Sequence, residues 1–178
     1  MHRDVHRFVS QCRICQQIKY KARKPAGLLQ PLPIPSVLWE DLSPDFITGL
    51  PPSHGFTAIL VVVDRYSKGT HLGALPPKYS AHKVACLFFD IVCKLHGFPH
   101  SLVSDRDPIF LSSFWRELFR ISGTKLRYST AYHPESDGQT EVLNRTLEQY
   151  LCSFVNDKPA LWHAFLLARL PSFGRMEL

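Results

Sequence analysis

A chain of 178 residues with 45% hydrophobic and 12% aromatic content is long enough to bury one sizeable core and carry a small appendage. No run of about 18 apolar residues occurs, and the first residues lack the charged-then-apolar order of a signal peptide, so a soluble intracellular protein is expected. The formal net charge of +6 lies in an N-terminal arm: residues 1 to 25 hold seven of the 21 basic residues (Arg3, Arg7, Arg13, Lys19, Lys21, Arg23, Lys24) and one of the 15 acids, Asp4. A basic arm on a neutral body predicts salt-sensitive attraction to phosphate backbones, the alternative being a solvated tail.

Within the arm, Val5, Phe8, Val9 and Ile14 are spaced like one face of a helix. Cys12 and Cys15 form a CxxC, half of a tetrahedral zinc site, with free thiols on a frayed helix as the alternative. His2 and His6 stand at helical i, i+4 spacing, too close to Cys12 to complete the site easily. Residues 25–37, PAGLLQPLPIPSV, contain four prolines and read as an extended linker. A strand is predicted over Leu38 to Ile47, although Pro44 lacks an amide donor and is tolerated only where the N–H would have no partner. After a turn at PPSHG, TAILVVVDRYS reads as a buried strand and GTHLGALP as a third, together an antiparallel meander.

Ser80 to His96 follows as an amphipathic helix with Ser80 as N-cap, Gly97 at C′ and an apolar face of Val84, Leu87, Phe88, Ile91, Val92 and Leu95. Then come a short strand LVS, a helix Ser113 to Ile121 with Phe114, Leu118 and Ile121 as its apolar stripe, and a strand Lys125 to Tyr128. Cys86, Cys93 and Cys152 sit in apolar, helix-like surroundings and are expected to be core thiols of a reducing compartment. Ser129 to Gln139 is a loop of turn formers with Gly138 as its pivot, and a helix from near Gln139 places Glu141 in its first turn. Three strands, helix, strand, helix, strand, helix is the order of an α/β layer around a mixed sheet.

Acids at strand ends are the candidates for chemistry. Asp45 and Asp64 compete in the meander, Asp105 and Asp107 follow the LVS strand, and Glu141 lies beyond the loop. Two aspartates and a glutamate brought together repel unless they share a hard cation, which makes Mg²⁺ or Mn²⁺ the expected ligand.

Four stretches, CRICQQIK, WEDLSPDFITGLPPSHGFTAILVVVDRYSK, SLVSDRDPIFLSSFWRELF and GTKLRYSTAYHPESDGQTEVLNRTLEQYL, resemble the integrases of gypsy-class LTR retrotransposons, relatives of retroviral integrases. The last is the most specific, and together they cover roughly residues 3 to 161. The resemblance implies an RNase H-like α/β fold with a five-stranded mixed sheet flanked by helices, preceded by a partial zinc-binding arm. It divides the chain into a zinc-type segment over 1–24, the linker over 25–37, a catalytic core over 38–162 and a divergent tail over 163–178. The family's acidic triad falls on Asp45, Asp105 and Glu141, which selects Asp45 over Asp64 and Asp105 over Asp107. The family has methionine where this chain has Pro44, places two histidines well upstream of the CxxC, and continues beyond FVNDKPALW into further segments, so the chain is expected to be truncated at both ends.

What the resemblance implies functionally is metal-dependent trimming of element DNA 3′ ends and their transfer into host DNA. Two Mg²⁺ (or Mn²⁺) ions about 3.5–4 Å apart would serve both steps of in-line displacement at phosphorus. Zn²⁺ would belong to Cys12 and Cys15. DNA contacts are expected from Asn144, Arg145, Gln139 and His133 and from Lys19, Lys21, Arg23 and Lys24, with an exposed polar helix face as the alternative for Asn144 and Arg145. The partners implied are element ends, target DNA and further copies of the chain, with no membrane, and the location is the nucleus, for which KYKARK is a weak import signal. The alternatives are an inactive nucleic-acid-binding remnant and an RNase H-type nuclease that cleaves without joining.

Overall fold

The computed structural model describes residues 2–12, 35–128, 144–149, 151, 155 and 158–169. Helix α1 (His2–Gln11) stands apart in sequence from the main body, with Val5 and Phe8 exposed. The body contains strands β1 (Asp41–Ile47), β2 (Ala58–Asp64) and β3 (Thr70–Leu75), then α2 (Ala81–Phe88, continued by Phe89–Cys93 and Lys94–His96), β4 (Ser101–Ser104), α3 (Ser113–Ile121) and β5 (Lys125–Tyr128). Residues 144–149 are helical, and a 3₁₀ turn at Pro159–Leu161 leads into α4 (Trp162–Arg169). The five strands make one sheet in the order β3-β2-β1-β4-β5, antiparallel from β1 to β3 and parallel from β1 through β4 to β5. That is the predicted mixed sheet with its meander.

Alternation along each strand divides the core into two faces. Leu42, Leu60, Val62, Leu75 and Leu102 pack under α2 and α3 through Val84, Phe88, Val92, Trp115 and Phe119. Ile47, Ile59, Val61 and Val63 pack on the opposite face under Leu147, Leu151, Val155, Trp162 and Leu166. β2 is buried at every position because it meets helices on both sides, which explains its unbroken apolar run.

The helices show where periodicity misleads. Ser80 does cap α2, its hydroxyl accepting from the Lys83 amide at 3.3 Å, and Gly97 ends it at φ 82°. The helix is not uniform, however: Ala81–Phe88 is α-helical, Phe89–Cys93 is a π turn and Lys94–His96 returns to α. A π turn adds a residue and rotates everything after it. Cys93 is therefore buried while Leu95, predicted for the core, is exposed. In α3 the buried residues are Trp115 and Phe119, and Phe114 and Ile121 are 42% and 72% exposed. The larger ring of Trp115 fills the space against Phe88 and Phe110, turning the helix away from the predicted stripe. Cys86 is also exposed, contrary to expectation, and Cys152 lies outside the described residues.

One strand boundary moves as well. Residues 38–40 form a turn, and β1 begins only at Asp41. Trp39 there holds a φ of 61°, stacked flat on His96 at 4.0 Å, while His71 and His96 meet Nε2 to Nε2 at 2.8 Å. Those rings tie edge strand β3 to the end of α2. At the other end, α4 starts at Trp162 and packs against the segment after β1. Its Trp162 indole donates to the Pro51 carbonyl at 2.6 Å, the His163 amide donates to the Ser53 hydroxyl at 3.3 Å, and the His163 ring stacks on Phe56.

Pro44 sits in the centre of the sheet, and the hydrogen-bond phase explains how. The Ser101 amide donates to the Glu40 carbonyl at 3.0 Å, and the β1–β4 ladder pairs Asp41 with Ser101 and Leu42 with Leu102. In this phase the next donor due from β1 is the amide of residue 44, aimed at the carbonyl of Val103. Proline has none, so the ladder stops there. The Ser43 hydroxyl takes over, donating to the Val103 carbonyl at 2.7 Å. Ser43→Ala should cost roughly 1–3 kcal/mol in urea unfolding, because it leaves a buried carbonyl unpaired. Adding Pro44→Val should recover much of that loss by restoring the amide donor, and failure of the double variant to recover any stability contradicts the assignment.

Candidate active site

The place where the β1–β4 ladder stops is where the candidate acids gather. The two strands pair with a constant offset of sixty residues, Asp41 to Ser101 and Leu42 to Leu102. Carried forward at the same offset, Asp45 is level with Asp105, which follows directly on β4. Face follows from alternation. Asp45 lies opposite Val61, whose side chain belongs to the core under residues 147–166, and the alternation of Leu102 with Ser101 and Val103 carries Asp105 to the same face. Extended at this register, the two carboxylates would fall at one level and on one face, Asp45 within β1 and Asp105 just after β4. Chains leave these strands in opposite directions, β1 towards β2 and β4 towards β5, which opens a crevice between them.

Each carboxylate is held locally. Asp45 Oδ1 accepts the Phe46 amide at 2.8 Å; that amide points to the β4 side, where the ladder has already ended. Asp105 Oδ1 accepts the Asp107 amide at 3.0 Å. Burial nevertheless raises the Asp105 carboxyl above its ordinary value, helped by the nearby Asp107 charge and opposed by the Asp107 amide. Asp107 itself caps the next turn, accepting the Ile109 amide at 2.8 Å.

A third side chain comes from the opposite layer. Asn144 donates from Nδ2 to Asp45 Oδ2 at 2.6 Å. It is 9% exposed, and its Oδ1 is buried with no hydrogen-bond partner. Asn144 begins a buried stripe with Leu147, Leu151 and Val155, the i, i+3, i+7, i+11 spacing of a helix face, so its direction is set by apolar packing against β1 and β2. Sequence reading placed Asn144 on a contact surface and missed this stripe, although the spacing was there to be counted.

Asp64 is in a different situation. It is fully buried and accepts from the Tyr66 amide at 3.3 Å, the Ser67 amide at 3.0 Å and the Ser67 hydroxyl at 2.5 Å, so its carboxylate closes the β2–β3 turn. Arg145 is exposed, beside the Asn144 position. Cys12 follows α1 and is partly exposed. Among the described residues no group of three or more His, Cys, Asp or Glu is arranged to hold a metal. Glu141, His133, Gln139, Cys15, Lys19, Lys21, Arg23 and Lys24 lie outside the described residues.

This arrangement has relatives of known origin. The chain is 36% identical over 162 residues, 91% of its length, to the transposon Tf2-3 and Tf2-4 polyproteins of Schizosaccharomyces pombe. It is homologous to these retrotransposon polyproteins. The homologue spans 12% of the length of each. No protein-family model matches it. Its fold is that of a retroviral integrase catalytic core: the HTLV-2 core in complex with magnesium, in a dimeric form, superposes with a TM-score of 0.54 at 19% identity, covering 70% of this chain and 78% of that one. The BIV integrase core gives 0.55 at 21% identity over 72% of this chain and 78% of that one. A chain of the simian T-cell lymphotropic virus intasome, solved with the PP2A regulatory subunit B56 gamma, gives 0.62 at 16% identity over 93% of this chain and 59% of that one.

In the retrotransposon homologue the raised Asp105 carboxyl has a consequence for stability. Folded Asp105 binds its proton more tightly than an unfolded aspartate, so ionising it weakens the fold as pH rises. In metal-free buffer at pH 7, Asp105→Asn should therefore melt roughly 1–3 °C above the parent. The gap should narrow as pH falls and close below the ordinary aspartate value of 3.8. A gap that does not change with pH contradicts the burial of this carboxylate.

Proposed function

We propose that the chain serves as the catalytic core of a retrotransposon integrase, a polynucleotidyl transferase that trims the 3′ ends of element DNA and joins them to target DNA. The observation that supports this reading is the parallel pairing of β1 with β4, Asp41 with Ser101 and Leu42 with Leu102, whose register carried forward brings Asp45 and Asp105 to one face. Homology to retrotransposon polyproteins and the integrase-core fold support it.

The residues present suit a hard divalent cation. Both acids offer oxygen donors, the partly buried Asp105 carboxylate gains from a positive charge, and Asn144 leaves a buried carbonyl oxygen unpaired beside Asp45. Asp45 and Asp105, with Glu141 as the third acid of the sequence motif, would hold Mg²⁺ or Mn²⁺, as the HTLV-2 core is solved with magnesium. When bound, the cation would activate the attacking oxygen and neutralise charge developing at phosphorus. The Phe46 and Asn144 amides each fix one oxygen of Asp45, so its carboxylate is oriented before any substrate arrives. The displacement requires no covalent protein intermediate: water attacks in trimming, and the freed 3′-OH attacks in joining.

Arg145, exposed next to Asn144, together with His133, Gln139 and the arm residues Lys19, Lys21, Arg23 and Lys24, supplies contacts to DNA phosphates. Dimerisation follows the HTLV-2 core, and work on chromosomal DNA implies a nuclear location. Cys12 and Cys15 furnish half of a zinc site, and no step depends on zinc.

A test uses the purified chain with Mg²⁺ or Mn²⁺, a duplex carrying the element's terminal sequence for joining, and a branched substrate for the reverse reaction. Replacing either Asp105 with Asn or Glu141 with Gln should reduce trimming and joining together, by at least about a hundredfold. Joining retained in Glu141→Gln would sink the shared-site mechanism, and RNA-strand cleavage without joining would reassign the chain to a nuclease.

A further inference from the structure

On the face of the sheet opposite to Asp45, a cluster of rings joins β3 to the end of α2. His71 stands opposite Val62 of β2, whose side chain belongs to the core under α2, and its Nε2 lies 2.8 Å from Nε2 of His96. The ring centres are 5.1 Å apart, as far as two ring radii added to that contact allow, so the nitrogens meet head on. Such a pair holds through a single hydrogen: one Nε2 must donate and the other accept, which gives the two neutral rings opposite tautomers. Trp39 closes the cluster. Its ring lies flat on His96 at 4.0 Å and reaches Gly69 of the β2–β3 turn, where an added Cβ would come within 3.2 Å of it. Its backbone is held at φ 61°, a strained angle for so large a residue.

We propose that His71 and His96 form a proton-operated clasp between β3 and α2, closed while one hydrogen lies between their Nε2 atoms and opened when each nitrogen carries its own. One extra proton is tolerated. It settles on His96, where the Asp64 charge favours it and Trp39 offers a ring face to a cation, while His71 goes on accepting. A second proton leaves two donors and two positive charges face to face, with no acceptor between them. Burial and the His96 charge hold His71 below the ordinary histidine value of 6.5, and burial lowers His96 against the pull of Asp64. Released His71 therefore binds its proton more readily than clasped His71, so the closed form is fully favoured above 6.5 and loses its advantage as pH falls below it. The other charges on the elements packed here are Arg65 and Lys68 of the turn, Glu40 beside Trp39, His100 before β4, and Lys94, which is paired with Asp90 at 2.6 Å. Opening frees Trp39 to relax, one residue before the Glu40 carbonyl that accepts the His100 and Ser101 amides. Acid thereby loosens the foot of the β1–β4 pairing.

The test reads each imidazole of the full chain by nuclear magnetic resonance from about pH 8 to about pH 5, for the parent, His96→Gln and His71→Gln. Amide exchange over β3, corrected for the intrinsic rate, is followed alongside. Glutamine can still hydrogen-bond and carries no charge. In the parent, His71 and His96 should show opposite tautomers at the alkaline end and take up protons in two separate steps, and β3 exchange should quicken by about tenfold or more on acidification. In His96→Gln, His71 should titrate in one step and closer to 6.5, and acid should change β3 exchange by less than about twofold. His71 titrating alike in the parent and His96→Gln, or parent β3 exchange that is the same at both ends of the range, overturns the proposal. Should His96→Gln fail to fold, His71→Gln decides: its β3 exchange should be insensitive to acid, and quickening equal to the parent's overturns the clasp. The outcome is independent of the cation site, since neither Asp45 nor Asp105 takes part.

Discussion

Everything at the candidate site depends on the short parallel pairing of β1 with β4. Two residue pairs, Asp41 with Ser101 and Leu42 with Leu102, set an offset that, carried forward, would bring Asp45 level with Asp105. A shift of one residue would send one carboxylate to the far face, because side chains alternate. The pairing is fixed from below by the Glu40 carbonyl, which accepts both the His100 and Ser101 amides, and by the Ser101 hydroxyl on Asp41. It is ended from above by Pro44. The same proline that interrupts the ladder frees the last residues of β1 to part from β4, and the acids occupy the opening.

The site is also a local conflict that the rest of the fold tolerates. A half-buried Asp105 raised above its ordinary value and an unpaired carbonyl on Asn144 both oppose folding of the metal-free chain. They persist because large apolar cores lie on either face of β2 and β1, where Phe88, Trp115 and Phe119 meet one side and Leu147, Leu151 and Trp162 the other. Asp64 shows the contrast. Its carboxylate has three donors and serves the β2–β3 turn, as a structural acid should. Among acids at strand ends, Asp64 with its three donors belongs to the turn, and Asp105, whose carboxyl burial raises, is the one that gains most from a cation.

Much of this was legible beforehand because strands and caps write local signals. The β-branched run of β2, the Ser80 cap and the Asp107 turn each follow from residues within a few positions of one another. What escaped were features decided by distant partners. The π turn in α2, the choice of Trp115 over Phe114 as the buried face of α3 and the exposure of Cys86 depend on what packs across the layer. The rescue of Pro44 by Ser43 depends on hydrogen-bond phase with a strand sixty residues away. The bond from Asn144 to Asp45 spans 99 positions, and no local pattern announces its partner.

The most direct measurement is a crystal structure of the full chain grown with Mn²⁺, read from the metal's anomalous scattering. Level, same-face carboxylates predict a peak within ligating distance of both Asp45 and Asp105, with Glu141 reaching it from the third element and Asp64 remaining on its turn. A peak at Asp64, or an ordered crystal with none between Asp45 and Asp105 at saturating Mn²⁺, would contradict the convergence on which the proposed chemistry rests.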